Sequence, residues 1–329
     1  MVSDKVVLTG GLGMVGSHVA RALVRSGWCP VVYDAGTNTE LVSDVAAQCD
    51  MVQGSVEDMP RFLSVLREHE PCAILHFAAQ VGPHVERQPW SSLHANLLGT
   101  VNILECARLA DVAKVIFPSS KMVYGPVALH HQHPMYVPVT EDHPREPNNF
   151  YGKLKRATED IAAHYAELYG LDVIALRFGS SFGPGKRGRH KVAVSALIEA
   201  AIHGEPMHMA HGADQCDDLC YSGEAARASL AALLSPSLPG SFRAYNIASG
   251  ELISLRQIIA VLQQLYPGWD CSAGAGLDYR NMGVGHYFAM AIDKAEQELA
   301  FRPQLDFASA VRDYAVLLKV RDQATTGSS

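Results

Sequence analysis

The sequence lacks the features that place a protein in or across a membrane. It contains no apolar stretch of about 18 residues or more, the length that a membrane-spanning helix requires. It also begins without the charged and then apolar segment that is typical of a signal peptide. Basic residues are fewer than acidic ones, 27 against 34, and no basic cluster carries interleaved aromatic residues. We therefore expect a cytoplasmic protein that spans no membrane and binds no nucleic acid.

The cysteines and histidines form neither a disulfide framework nor a metal-binding pattern. The seven cysteines include no C-x-x-C pair, and several of them lie in apolar runs, as reduced core cysteines do. The 15 histidines are not joined by cysteines or carboxylates at the spacing of a zinc site. We expect no metal ion in this protein.

The order of strand-like and helix-like patterns predicts the fold. Hydrophobic residues make up 48% of the 329 residues, enough for a large buried core. Strand and helix patterns alternate from Lys5 to about Phe178, which builds a parallel sheet with right-handed crossovers. We therefore predict an α/β fold with a Rossmann-type doubly wound parallel sheet over residues 1–178.

After this region the alternation ends, and a smaller C-terminal lobe is predicted over residues 179–329. A segment near 211–248 is expected to return to the main sheet, and residues 324–329 are expected to form a disordered tail. Apolar periodicity predicts helices over 91–110, 150–169, 192–203 and 307–320 and a short strand near Met207.

Three glycines follow the first predicted strand and lead into a helical pattern. Gly10 can make the tight turn, Gly13 lets the backbone approach a pyrophosphate, and Gly16 allows the helix to pack closely on the strand. The N-terminus of the helix, at Met14 and Val15, attracts phosphate charge. The order of strand, glycine turn and helix therefore predicts a dinucleotide site.

An acidic residue ends the second predicted strand, eighteen residues after Gly16 and close to the roughly 20 expected for a ribose-binding carboxylate. This residue, Asp34, is placed to hold ribose hydroxyls. No Arg or Lys occurs between Asp34 and Val52 to neutralise an additional phosphate. We therefore predict NAD rather than NADP as the cofactor.

A tyrosine and a lysine four residues apart, Tyr151 and Lys155, share one face of the helix predicted over 150–169. A free tyrosine ionises near pH ~10, and an adjacent positive charge is a simple way to make it a usable acid or base near neutrality. A second segment carries Ser120 directly after the strand-like Lys114 to Phe117. Its hydroxyl is therefore expected at the carboxyl edge of the sheet, where ligands of such folds bind.

The glycine turn, Ser120 and the Tyr151-x-x-x-Lys155 pair, in that order, resemble the extended short-chain dehydrogenase/reductase family, the NAD-dependent epimerase/dehydratase group and its nucleotide-sugar 4-epimerases in particular. Further matching motifs cover almost the whole chain: His76-Phe77-Ala78-Ala79, Asn96-Leu97-Leu98-Gly99-Thr100-Val101-Asn102, Arg177-Phe178 and Gly183-Pro184-Gly185. The resemblance implies that the C-terminal lobe binds substrate. It also implies a homodimer built on the helices over 91–110 and 150–169.

The resemblance assigns roles to individual residues. It implies Ser120, Tyr151 and Lys155 as catalytic residues, with Tyr151 and Lys155 also facing the cofactor. The other implied cofactor residues are Gly10, Gly13, Met14, Val15, Gly16, Asp34, Ser55, Val56, Phe77, Ala78, Ala79 and Asn96. The implied substrate residues are Ser120, Lys121, Met122, Phe178, Ser180, Arg189 and Arg280.

The expected chemistry is oxidation of a sugar hydroxyl by hydride transfer to NAD, with Tyr151 taking the hydroxyl proton and Ser120 binding its oxygen. Dehydratases of the family carry Asp-Glu where this chain has Lys121-Met122, so water elimination is not expected. An epimerase, in which the ketone takes the hydride back, and a net dehydrogenase both remain open. A non-catalytic NAD-binding sensor is a further hypothesis, disfavoured because such relatives lose the Tyr-Lys pair.

The form of the sugar is also open. Relatives that bind nucleotide sugars usually carry Asn at the position of Ser180 and Arg at the position of Asp217. Replacing a cation by an anion removes a charge-assisted contact to a diphosphate and adds repulsion. Arg280 and the basic residues Lys186 and Arg189 are candidates to compensate. We expect a sugar or sugar derivative as substrate, with a nucleotide-linked sugar as the alternative.

Overall fold

The computed structural model describes residues 4–185 and 193–326 of the chain. Its strands are β1 (Lys5–Thr9), β2 (Cys29–Asp34), β3 (Asp50–Gln53), β4 (Ala73–His76), β5 (Lys114–Ser120), β6 (Asp172–Phe178), β7 (Ser180–Phe182), β8 (Met207–Met209), β9 (Cys216–Tyr221), β10 (Phe242–Ile247), β11 (Leu252–Ser254) and β12 (Cys271–Ala273).

The α-helices are α1 (Met14–Arg25), α2 (Met59–His69), α3 (Pro83–Arg87), α4 (Pro89–Leu93), α5 (Gly99–Leu109), α6 (Phe150–Tyr169), α7 (Ala193–His203), α8 (Ser222–Leu234), α9 (Leu255–Leu265), α10 (Asp293–Leu299) and α11 (Phe307–Thr326). A π-helical turn, His94–Leu98, joins α4 to α5.

Seven strands in the described part of the chain form one parallel sheet in the order β10-β6-β5-β4-β1-β2-β3. This order confirms the predicted doubly wound sheet. The strand order reverses between β1 and β4, so the connections leave these two strands in opposite directions and open a crevice at their carboxyl ends. The glycine turn after β1 and the segment after β4 both lie at that crevice.

Both faces of the sheet are covered by helices, as the continuous apolar runs of the strands require. On one face, α1, α8 and α10 pack over alternate strand residues such as Val6 and Leu8. On the other face, α2, α5 and α6 cover the residues in between, such as Val7 and Ile74. These strand residues are fully buried, so the sheet holds its edge, and the site on that edge, rigidly.

The smaller lobe is built from later segments. It contains a three-stranded sheet in the order β11-β9-β7 and a pair formed by β12 and β8. A third apolar core joins α7, α9 and α11 to β9. The chain returns to the main sheet with β10, which pairs with β6. No helix within residues 4–185 and 193–326 is both long and apolar enough to cross a membrane.

The structure corrects three sequence-based boundaries. Strand β5 runs through Ser120, because Ser119 and Ser120 continue the ladder with β6 instead of following the strand as a turn. The helix predicted over 91–110 is interrupted by a π-helical turn. Helix α11 continues to Thr326, so the expectation of a disordered tail from residue 324 is wrong for residues 324–326, while 327–329 lie outside the described residues.

Candidate active site

The glycine turn lies against the end of β4, at the crevice between the two halves of the sheet. Gly10 has a φ of +69°, which favours glycine, and a Cβ there would overlap the backbone of Phe77 and Ala78. A Cβ at Gly16 would overlap the carbonyl oxygen of Gly10. Gly10 donates a backbone hydrogen bond to Tyr33 at 2.9 Å. The predicted roles of the turn and of close helix packing therefore have a direct steric basis.

The first turn of α1 has no side-chain cap and lies beside an acidic side chain. Gly13 caps the helix without a side-chain hydrogen bond, and the first turn carries no acidic residue. Asp34 ends β2 and accepts hydrogen bonds from Leu12 N at 3.0 Å and Gly36 N at 2.9 Å. Met14 and Val15, in the first turn, are partly exposed. This edge can hold an anionic group with a hydroxyl-bearing group next to it.

A buried hydrogen-bond chain fixes the segment that follows β4. The His76 ring bridges Thr9 Oγ1 at 2.7 Å and Thr100 Oγ1 at 3.0 Å. Ala78 N donates to Thr9 Oγ1 at 3.2 Å, and Thr100 donates to the carbonyl oxygen of Asn96 at 2.8 Å. Because Thr100 uses its single hydroxyl proton in the bond to Asn96, it must accept from the ring, which places the ring proton on Nε2. The other ring nitrogen, Nδ1, then accepts from Thr9. Burial and the charge of Lys155 lower the pKa of His76 to about 3, so the ring is neutral.

The Asn96 amide is occupied by one backbone segment. Its Oδ1 accepts from Gln80 N at 2.7 Å, and its Nδ2 donates to Gln80 O at 2.8 Å. Gln80 in turn bonds Ser91 and Ser92 through its side chain. Asn96 therefore orders the loop that follows Phe77, Ala78 and the exposed Ala79, an organising role of the kind that the resemblance implies.

Ser55 and Val56, expected at the adenine side, mainly build a turn. Ser55 Oγ accepts from Glu57 N at 3.2 Å, and its carbonyl oxygen accepts from Tyr33 at 2.9 Å. Val56 is 6% exposed and its carbonyl oxygen accepts from Asn102 at 3.0 Å. The turn closes the end of β3 next to β2, on the same side as Asp34.

Ser120, Tyr151 and Lys155 come together at the carboxyl end of β5. Asn149 caps α6 by accepting from Gly152 N at 2.8 Å, which starts the helix beside β5. The Tyr151 phenol lies near the Ser120 hydroxyl. Lys155 Nζ donates to the carbonyl oxygen of Pro118 at 2.7 Å and lies 5.8 Å from the centre of the Tyr151 ring. The structure thus assembles the three predicted catalytic side chains in one place.

Burial shifts the pKa values of two side chains of this trio. It raises the pKa of Tyr151 to about 12, and the nearby Ser120 hydroxyl lowers it only partly. Burial also lowers the pKa of Lys155 to about 8, against the opposing charge of Glu159. The positive charges of Lys155 and of bound NAD, which together are expected to favour the phenolate, oppose the effect of burial on Tyr151.

A buried network that the sequence reading missed holds α6 in place. Glu159, one helical turn after Lys155, is fully buried and accepts from Ser119 Oγ at 2.5 Å. It also accepts from Arg177 at 3.0 and 2.7 Å and from Arg145 at 3.0 Å. Two sequence features could have indicated this network: Glu159 lies four residues after Lys155 on the same helix face, and Arg177 belongs to the Arg177-Phe178 motif. Helical spacing alone does not show which strand residues contact Glu159.

Three of the predicted substrate residues converge on a buried carboxylate. Lys121, Ser180 and Arg280 all contact Asp217, which is 0% exposed. Asp217 is paired with Lys121 and with Arg280, a predicted candidate to compensate, and the expectation that this carboxylate disfavours a diphosphate stays a prediction.

The remaining predicted substrate residues are dispersed. Met122 is half-buried, and its N–H donates to Ser120 Oγ at 3.2 Å. Phe178 stacks on Phe77 with ring centres 6.4 Å apart. Arg189, like Lys186, lies outside the described residues.

Comparisons with known proteins agree with this arrangement. A family model described as the NAD dependent epimerase/dehydratase family matches residues 6–248. A UDP-glucose 4-epimerase of Rhizobium leguminosarum bv. trifolii is 28% identical over 332 residues, covering 95% of this chain and 96% of the relative.

Two solved structures are also similar. A UDP-glucose 4-epimerase from Brucella ovis in complex with NAD has a TM-score of 0.81 and 26% identity, with 96% of this chain and 98% of that chain covered. One from Thermus thermophilus in complex with NAD has a TM-score of 0.80 and 25% identity, with 96% and 99% covered.

Proposed function

The chain belongs to the NAD-dependent epimerase/dehydratase family, and on that premise we propose that it oxidises a secondary hydroxyl of a sugar or sugar derivative through Ser120, Tyr151 and Lys155. The observation that carries this proposal is the placement of Ser120, Tyr151 and Lys155 at the carboxyl end of β5, with Lys155 Nζ bound to Pro118 O and 5.8 Å from the centre of the Tyr151 ring. A phenol, a hydroxyl and an ammonium at the carboxyl edge of a parallel sheet are the groups that an alcohol oxidation needs.

The cofactor is NAD, and the residues at the crevice fit it. The glycine turn has no side chains to block a pyrophosphate, and the first turn of α1 offers free N–H groups without a competing carboxylate. Asp34 is placed to bind ribose hydroxyls, and Gly10, Gly13 and Gly16 would line the diphosphate. NAD, when bound, supplies the hydride acceptor and a positive charge beside the trio.

The three side chains of the trio transfer the proton and stabilise the charge that develops on the substrate oxygen. Tyr151 takes the proton of the substrate hydroxyl, and Ser120 donates to the same oxygen as its charge develops. Lys155, held by Pro118 O, favours the phenolate over the phenol. Because burial raises the pKa of Tyr151 to about 12, the proton transfer needs the additional positive charge of oxidised cofactor. Oxidation is therefore expected only in the complex with NAD.

We favour an epimerase, in which the ketone takes the hydride back on its other face. The similar proteins named UDP-glucose 4-epimerase support this choice, and they make a nucleotide-linked sugar the alternative to a free sugar. Lys121 is bound to Asp217, so neither it nor Met122 can serve as the acid and base of water elimination. A net dehydrogenase is the second candidate, because the same trio performs the first half of either reaction.

One experiment separates these activities. The purified protein is incubated with NAD and a panel of free and nucleotide-linked sugars, with NADH followed by absorbance and sugar stereochemistry by NMR. Inversion without net NADH identifies an epimerase, and accumulation of NADH identifies a dehydrogenase. Bound NAD without turnover on any sugar would instead favour the non-catalytic sensor.

Tyr151→Phe tests the role of the trio. It removes only the phenol oxygen, so we expect turnover to fall by about 10²- to 10⁴-fold with NAD binding retained. Tyr165→Phe is the matched control, because Tyr165 lies on the same helix and belongs to the apolar core around α6. Equal activities of the two variants would contradict the assigned role of Tyr151.

We also propose a homodimer in the cytoplasm. Trp90, Leu98, Leu109 and Tyr169 are 75%, 41%, 39% and 49% exposed on α4, the π-helical turn, α5 and α6, an apolar surface of the kind that a second copy covers. A monomer mass by light scattering at micromolar concentration would refute the dimer.

All seven cysteines are free thiols, which supports a reducing compartment. Cell fractionation tests the location.

A further inference from the structure

A buried ion cluster lies beside the catalytic trio. We call it the Asp217 cluster, and it consists of Lys121, Ser180, Asp217 and Arg280. Asp217 Oδ1 accepts from Lys121 Nζ at 2.5 Å, and Oδ2 accepts from Ser180 Oγ at 2.6 Å and from an Arg280 guanidinium nitrogen at 3.3 Å. The same Arg280 nitrogen donates to Ser180 Oγ at 2.9 Å. Both cations of the cluster are therefore paired with an internal carboxylate.

Strand register places this cluster next to the reacting groups. Ser120 pairs with Phe178 at the ends of β5 and β6, and Lys121 follows Ser120 directly. Ser180 begins β7 and pairs with Leu219 of β9, two residues beyond Asp217. The cluster thus continues the carboxyl edge of the sheet from the catalytic trio into the smaller lobe. Arg280, with a quarter of its side chain exposed, connects the cluster to solvent.

The charges of this region balance. Asp218, next to Asp217, is also buried and accepts from Ser249 Oγ at 2.8 Å and Met290 N at 3.0 Å. Burial raises its pKa to about 6, which leaves it mainly ionised at neutral pH. Lys121 and Arg280 therefore face two carboxylates, and the four groups have no net charge. A diphosphate that approached the cluster would meet the buried Asp217 and two cations already paired with it, which is less favourable than meeting unpaired cations.

The rim of the cluster carries polar atoms that suit hydroxyl groups. In the described part of the chain, Tyr279 Oη and His286 Nδ1 are buried without a hydrogen-bond partner, in residues that are 6% and 5% exposed. Tyr279 directly precedes Arg280, and its ring centre lies 5.5 Å from that of Tyr287. The Tyr287 hydroxyl accepts from Arg280 N at 2.8 Å, and His286 directly precedes Tyr287. Burial raises the pKa of the Tyr279 phenol and lowers that of the His286 imidazole, which keeps both groups neutral. A sugar hydroxyl, which donates and accepts, can satisfy such groups.

We propose that the Asp217 cluster, with Tyr279 and His286, is a specificity pocket that holds an uncharged, polyhydroxylated part of the substrate and disfavours a diphosphate. Asp217 is the determinant, because it occupies the two cations that an anionic group would otherwise bind. This inference rests on the proposed function in that it assumes a sugar oxidised at Ser120 and Tyr151. It narrows the substrate to a sugar or polyol without a nucleotide diphosphate.

Calorimetric titration with UDP tests the pocket on the protein saturated with NAD. For the unaltered protein we expect no saturable UDP binding below about 1 mM. Asp217→Asn frees Lys121 and Arg280 from the carboxylate, so we expect at least a tenfold gain in UDP affinity. A second substitution, Arg280→Gln, made in the Asp217→Asn background, should abolish that gain. Asp214→Asn is the matched control, because it removes the same charge from an exposed carboxylate paired with Arg256.

Micromolar binding of UDP to the unaltered protein would overturn the proposal, and so would a loss of UDP affinity in Asp217→Asn. If Asp217→Asn does not fold, the titration of the unaltered protein still decides between the two outcomes. The titration measures no turnover, so its result is independent of the sugar panel. Absence of turnover on every sugar would refute the proposed function, whereas tight UDP binding would refute only the specificity of the pocket.

Discussion

Replacing Glu159 with glutamine removes the negative charge at the centre of the network that ties α6 to β5 and β6. The carboxylate is fully buried and accepts four hydrogen bonds, from Ser119, Arg145 and twice from Arg177. Arg177 is only 4% exposed, so the variant leaves a buried guanidinium without its counter-charge. We therefore expect a large loss of stability from a substitution that changes the volume of the side chain very little.

The magnitude follows from the burial. Breaking a buried ion pair by removing one partner costs about 3–5 kcal/mol. The entropy of unfolding near the thermal midpoint is roughly 2.1 cal/mol/K per residue, so about 4 kcal/mol lowers the Tm of a chain of this length by about 6 °C. The measurement is thermal unfolding followed by circular dichroism, with urea unfolding for the free energy.

Asp160→Asn is the control for this measurement. Asp160 is the next residue of α6 and also binds Arg145, at 2.6 Å, but its side chain is 48% exposed. An exposed ion pair contributes about 0–1 kcal/mol, so its loss should lower the Tm by about 1 °C or less. Equal destabilisation by the two variants, or a Glu159→Gln variant as stable as the unaltered protein, would refute the reasoning.

The same variant tests the coupling to the catalytic lysine. The charge of Glu159 raises the pKa of Lys155 and opposes the effect of burial. Its removal should therefore lower the pKa of Lys155 below about 8. The basic limb of the pH profile of kcat/KM should move to lower pH. An unmoved basic limb would show that Lys155 does not control it.

Two further predictions concern the cofactor turn and the ionisation of Lys155. Gly16→Ala places a methyl group on the carbonyl oxygen of Gly10, so NAD affinity should fall at least tenfold by fluorescence titration. Gly185→Ala, where a Cβ meets no atom of the described residues within 4 Å, should leave NAD affinity unchanged. Lys155 has a pKa of about 8 in the folded protein and 10.5 when unperturbed, so the unfolded chain holds more protons between these values. Folding stability should therefore rise from about pH 8 to 10, by up to about 3 kcal/mol, through this group. Urea unfolding should show this rise only relative to Lys155→Met; parallel pH profiles of the two proteins would disprove it.

Much of the fold could be predicted because its signals are local. A glycine turn between an apolar strand and an amphipathic helix has one favourable arrangement, and α6 begins and ends at the predicted Phe150 and Tyr169. The alternation of strands and helices restricts the sheet to few topologies. The predicted end of a strand was less accurate where pairing with a neighbouring strand extends it. In β5 the last two residues belong to the strand only because β6 pairs with them.

The residues of the candidate site could be predicted from the sequence, but their pKa values could not. The i,i+4 spacing placed Tyr151 and Lys155 on one helix face, and the glycine turn and the segment around Ser120 made this pair a candidate site. These patterns could not indicate that burial raises the pKa of Tyr151 to about 12. Desolvation depends on everything packed around a group, and that is a property of the folded chain.

The sequence by itself therefore determined the doubly wound sheet and the glycine turn, since each depends on neighbours within one strand, turn or helix. It predicted the trio Ser120, Tyr151 and Lys155 through the resemblance to the family. The tertiary structure alone decided the pairing of Lys121 with Asp217, residues 96 positions apart in the chain, and the contacts of Glu159 with Ser119 and Arg177. Such pairs form only after the strands take their order in the sheets. The charge that a substrate meets beside Ser120 is therefore set by packing between distant segments.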